Sequence, residues 1–170
     1  MTKRKYVTIL VTIMAGNSRL ATAIHVAGML SFAEEMPLTS EAIARSCKTN
    51  AVVIRRIIGQ LTRHGLVEVK MGTGGGSRLT KNPSEITLGE IYTALEEGAI
   101  FEVPQFEENF HCEVGKIVRP VLANVLNGVE QSLLDNLKQI TLAEIIEKIK
   151  LEMHEACQNK IRNPKSEIPN

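Results

Sequence analysis

Six residues, Gly72-Thr73-Gly74-Gly75-Gly76-Ser77, carry the most specific chemical signal in the chain. Four glycines in six positions let a backbone come close to a phosphate, either of a nucleotide or of a nucleic-acid backbone. A nucleotide cradle needs a helix N-terminus directly after the glycines, so that its free amides meet the phosphate. Here Arg78-Leu79-Thr80 and then Pro83 follow, and the Lys-Ser/Thr of a Walker loop is missing. The stretch therefore reads as the tip of a turn, one that lies against a DNA backbone or, more plainly, is only flexible.

The other reactive side chains are scattered. Cys47, Cys112 and Cys157 lie far apart, with no CxxC and no zinc-type His/Cys spacing. A sparse, odd count suits a reducing cytosol. Cys112, next to His111, is a candidate lone redox sensor, but the acids around it raise a thiol pKa and lower its reactivity. Glu102, Glu107, Glu108 and Glu113 have no His, Lys or metal-ligand partner nearby and read as solvated charge. Ser40 and Ser77 lack a His/Asp arrangement that would make either a nucleophile. No catalytic, metal or cofactor site is expected.

The elements that position the glycines are helical. Leu, Ile, Val and Ala dominate a 44% hydrophobic composition, aromatics are 4% and Trp is absent, which favours helices over aromatic strands. Asn17 or Ser18 caps a helix to about Glu35, apolar almost all round and hence buried, with Thr22, His25 and Gly28 as a narrow polar stripe. Thr39 caps a short second helix. After Cys47-Lys48, Thr49 or Asn50 caps a third, running to His64. Its inner face is Ile54, Ile57, Ile58 and Leu61, its outer face Arg55, Arg56, Gln60 and Arg63, and Gly65 ends it. Leu66, Val67 and Val69 form a strand, the glycines turn the chain, and Arg78-Leu79-Thr80 return as a β-hairpin. Ile86–Ile91 and Ile140–Ile145 are nearly the same hexapeptide, which reads as two Thr-x-x-Glu capping boxes, not as a repeat. A long helix over about 115–137 carries Val118, Val121, Leu122, Val125, Leu126, Val129, Leu133 and Leu137 on one stripe, the pattern of a helix that packs on its own copy.

The net charge of +1 is uninformative, but its distribution is not. Residues 48–81 hold seven basic side chains and one acid, Glu68; residues 85–115 hold eight acids and no Lys or Arg. The first block attracts a polyanion and the second repels one. The first residues, Lys3-Arg4-Lys5 before the apolar run 6–15, stay open between a short secretory signal, a real extra segment and upstream sequence before a start at Met14. The run is too short for a membrane span.

Helix, helix-turn-helix and glycine-tipped hairpin make a winged helix-turn-helix. With Thr49-Asn50, Arg55-Arg56, Leu61, Gly65-Leu66-Val67, the glycine stretch and Ile86-Thr87-Leu88-x-Glu90-Ile91 in order, residues 17 to about 149 resemble the Rrf-two family of bacterial transcription regulators. The resemblance implies a mainly α fold with a β-hairpin wing, double-stranded DNA as partner, and a homodimeric repressor or sensor in the cytoplasm with no membrane association; activation in place of repression stays open, since the sign depends on where the operator lies. It places Thr49, Asn50, Val52, Arg55 and Arg56 on the recognition helix, and Gly74, Gly75 and Gly76 at the wing tip near the minor groove, flanked by Lys70 and Arg78. Thr39 and Ser40, opening the preceding helix, join the DNA-binding set. Many members have an Arg where this chain has Met71. Many also hold an iron–sulfur cluster on three closely spaced cysteines before the long helix. With Cys112 alone there, the chain resembles the branch without a cluster. Its signal, a small ligand or a redox change, is left open. The expected division is an N-terminal segment 1–16, a DNA-binding unit 17–97, an acidic loop 98–114, the dimerisation and C-terminal helices 115–157, and a polar tail 158–170. The rival readings are an interaction module that has lost DNA binding and a cofactor enzyme built on the glycines.

Overall fold

The computed structural model describes residues 19–33, 36–95, 101 and 113–162. The N-terminal segment, Cys112 and the end of the tail lie outside them.

The first helix, α1 (19–32), buries Ala23, Val26, Ala27 and Leu30, as its nearly all-apolar surface requires. His25 stays exposed, its Nε2 3.2 Å from the Ser46 hydroxyl of the next helix. That helix, α2 (Ser40–Ser46), starts where the Thr39 hydroxyl accepts from the Ala42 N–H at 3.2 Å. A tight turn follows, with Lys48 at φ 47°. Asn50 then caps α3 (Ala51–Arg63), its Oδ1 accepting from the Val52 N–H at 2.8 Å. Ile54, Ile57, Ile58 and Leu61 are buried, as their spacing predicts.

Gln60 departs from its expected place on the outer face. It is 1% exposed, its Nε2 donates to the Leu95 carbonyl at 3.2 Å, and its Oε1 accepts from Arg19 at 3.1 Å. Helices α1 and α4 close over that flank, and the amide stays because both its ends are satisfied.

The hairpin pairs β1 (Val67–Lys70) antiparallel with β2 (Gly76–Leu79), Val67 opposite Leu79 and Lys70 opposite Gly76. A third segment joins it: Leu38 donates to Ser77 at 3.1 Å and accepts from it at 2.9 Å. A 3-10 turn at Pro83–Glu85 leads to α4 (Leu88–Leu95), and α5 (Glu113–Lys138) to α6 (Leu142–Arg162). Helix α6 therefore runs past Gln158, into the segment expected from the sequence to be a polar tail.

Both capping boxes are present: Thr87 accepts from the Glu90 N–H at 3.1 Å and Thr141 from the Glu144 N–H at 3.3 Å. The near-identical hexapeptides also pair with each other. Leu88 donates to Ile140 and Leu142 to Ile86, each at 2.8 Å, in an antiparallel bridge that ties the start of α4 to the start of α6. Leu142 and Ile146 thereby enter the same buried cluster as α1, α3 and α4, so residues of the 115–157 segment complete the core of the 17–97 unit. No helix among the described residues is long and apolar enough to cross a membrane.

Candidate nucleic-acid interface

The helix pair, the turn inside it and the hairpin hold six of the seven basic side chains of residues 48–81. Thr49 and the cap Asn50, just before α3, and Val52, Arg55 and Arg56 on its N-terminal half are all exposed. Thr39 is exposed and Ser40 half-buried at the start of α2. The Asn50 side chain is committed to its cap, and Val52, Val53, Arg55 and Arg56 are the exposed groups of the first turns.

Arg55 is tied by an ion pair to Glu41 of α2. The Glu41 carboxyl lies below its ordinary value, held there chiefly by its backbone hydrogen bond, with Arg55 and Arg45 adding to it against the opposing desolvation. On the wing Arg78 pairs with Glu68 directly across the hairpin, and Lys81 reaches Glu90 at 3.2 Å. Three of the seven basic residues are thus partly neutralised. Two of those acids, Glu41 and Glu90, come from outside the basic block, so a count along the chain could not see them. Exposed pairs of this kind contribute little to stability and separate readily when a phosphate competes. Lys48, Arg56 and Lys70 are exposed and form no ion pair among the described residues.

The wing glycines are used by the hairpin itself. A Cβ on Gly75 would stand 2.2 Å from the Lys70 carbonyl oxygen, and one on Gly76 2.8 Å from the Leu38 oxygen. These two residues, half-buried, are small because the chain's own backbone passes there. Gly74 is exposed, at φ +75°. Met71, 87% exposed, occupies the tip beside Lys70.

A basic recognition helix, the helix before it and a pinned hairpin together form a winged helix-turn-helix. Residues 17–148 match the Rrf2 (Rrf-two) family, described as an iron-dependent transcriptional regulator. The chain belongs to the Rrf2 family. It is a DNA-binding transcriptional regulator. It is 33% identical over 130 residues to YwnA of Bacillus subtilis, named as an HTH-type transcriptional regulator, covering 76% of this chain and 96% of YwnA. It is 36% identical over 107 residues to the HTH-type transcriptional regulator NsrR of Bacillus licheniformis, covering 61% and 71% of the two. Two solved structures share the fold. IscR of T. potens superposes with a TM-score of 0.56 at 24% identity, over 77% of this chain and 85% of IscR. CymR, the global cysteine regulator of B. subtilis, gives 0.52 at 23%, over 76% and 94%.

Among the described residues of this Rrf2 chain, the iron in the family's description finds no three-thiolate set. Cys47 is half-buried, burial raising its thiol pKa, and Cys157 is exposed on α6. Residues 98–114 contain one cysteine. Among the described residues no three His, Cys, Asp or Glu side chains cluster to hold a metal.

Proposed function

We propose that the protein is a homodimeric, sequence-specific repressor that works in the cytoplasm without an iron–sulfur cluster. The observation that carries dimerisation is the bare face of α5. Val118, Val121, Leu122, Val125, Val129 and Leu133 recur at helical spacing and are 39–57% exposed, with Leu126 half-buried among them. A continuous apolar face of this kind is covered in solution, and a second copy supplies a self-complementary one. Two recognition helices related by that axis read two half-sites of a palindrome, while Lys70 and the wing amides position each head on phosphates. Repression follows when such an operator overlaps a promoter.

The test is fluorescence anisotropy with the duplex upstream of the protein's own gene, against a scrambled duplex, across a salt series. Specific binding that weakens steeply with salt supports the reading, since each phosphate contact releases counterions. Equal binding to both duplexes removes sequence specificity, and absence of binding at low salt favours a protein-interaction module. Light scattering of the free protein at two masses per particle supports the dimer, and one mass refutes it.

A further inference from the structure

Gly59 lies in the third turn of α3, exposed and with helical backbone. A Cβ built on it meets nothing within 4 Å. The wing glycines differ, since Gly75 and Gly76 are crowded by backbone and Gly72 and Gly74 have positive φ. Among the described residues nothing gives Gly59 a steric or conformational use for a missing side chain. A glycine there only weakens the helix, because it loses more entropy on folding than alanine does. Nothing among the described residues accounts for it.

Its position indicates what that is. Val52, Arg56, Gly59 and Arg63 stand at i, i+4, i+7 and i+11, forming one ridge opposite the buried Ile54, Ile57, Ile58 and Leu61. On one flank Arg55 is held by Glu41; on the other Gln60 is turned inward to Leu95. Val52 is 65% exposed, an apolar group on a basic surface. Gly128 of α5 has the same open surroundings and lies on the face assigned above to a second copy.

We propose that Gly59 is the point where duplex DNA comes closest to α3. The bare backbone there meets the sugar–phosphate wall of the major groove, which brings Val52 against a thymine methyl group and Arg56 onto a guanine edge. Gly59 is a positioning residue in this arrangement. The inference rests on the DNA-binding reading and deepens it.

The experiment uses the full chain and a duplex that it enriches from a random-sequence pool. Gly59→Ala is expected to raise the melting temperature by about 2–4 °C, as alanine does in an exposed helix. It is expected to weaken binding to that duplex about tenfold, within the range of one lost contact at such an interface. Replacing the thymines of the enriched site by uracil should weaken wild type and leave Val52→Ala unaffected at one position per half-site. A Gly59→Ala protein with a higher melting temperature and wild-type affinity overturns the proposal. So does a lower melting temperature, which would make the glycine structural. If wild type enriches no sequence and binds no duplex, the DNA-binding reading itself falls; if wild type binds and Gly59→Ala binds equally, only this inference falls.

Discussion

Gly76→Ala tests how the wing is attached. The added Cβ would stand 2.8 Å from the Leu38 oxygen, 2.8 Å from the Pro37 carbonyl carbon and 2.9 Å from the Leu38 carbonyl carbon. All three are backbone atoms, so no side chain can swing aside. The strain is relieved only if residues 37–38 and 76–77 separate. That breaks two hydrogen bonds, Leu38 to Ser77 and Ser77 to Leu38, with Ser77 itself buried. At about 1 kcal/mol net each, the loss is about 2 kcal/mol. For a chain of this length that lowers the melting midpoint by about 4–8 °C. The assay is urea and thermal denaturation followed by circular dichroism, with amide exchange at Leu38 and Ser77 read separately. Both amides should exchange faster in the variant. A Gly76→Ala protein with the wild-type midpoint and both amides still protected would refute the reasoning, because the close approach would then be yielding without loss.

Asn50→Ala removes the α3 cap and should cost about 1 kcal/mol, seen as a lower urea midpoint at unchanged m-value. The Glu90 carboxyl is raised by desolvation, but the Thr87 N–H and Lys81 outweigh that, so its pKa lies below the ordinary 4.5. A depressed folded pKa stabilises above the unfolded value and loses that contribution as pH falls through the folded one. Glu90→Gln should therefore show a smaller drop in stability on acidification below about pH 4.5 than wild type, measured by denaturant titration. Val125→Glu puts a charge in the proposed α5 contact and should convert the dimer to a monomer in light scattering while the helical content by circular dichroism stays the same, because unpaired buried charge opposes association.

The elements were legible wherever a local rule decides them. The Thr39 and Asn50 caps, the inner face of α3, the hairpin and the two Thr-x-x-Glu boxes each follow from residues a few positions apart. What was missed depends on partners distant in sequence. Gln60 looks solvent-facing until α1 and α4 close over it. Arg55 and Lys81 look like free cations until Glu41 and Glu90 arrive from outside the basic block. The glycines of the tip look like a surface for a ligand, yet two of them are required by the hairpin's own backbone. The two similar hexapeptides were read correctly as caps, but caps are local, and the bridge between them is not. On the interface, residue types and order pointed to the helix pair and wing, while the division of labour proposed along α3 rests on the exposures of Val52 and Gly59.

That bridge has a consequence for the order in which the chain assembles. Thr87 and Thr141 are joined across more than fifty residues, so the two hydrogen bonds beside them close a long loop, and loop closure is opposed by chain entropy before any contact rewards it. Helices α1 to α4 and the hairpin all precede α5 in the chain and can meet while α5 is still emerging from the ribosome. The bridge then forms late, when Leu142 and Ile146 drop into a core already in place. A head competent to meet DNA would thus exist, briefly and alone, before it acquires the helix proposed above to pair it with another.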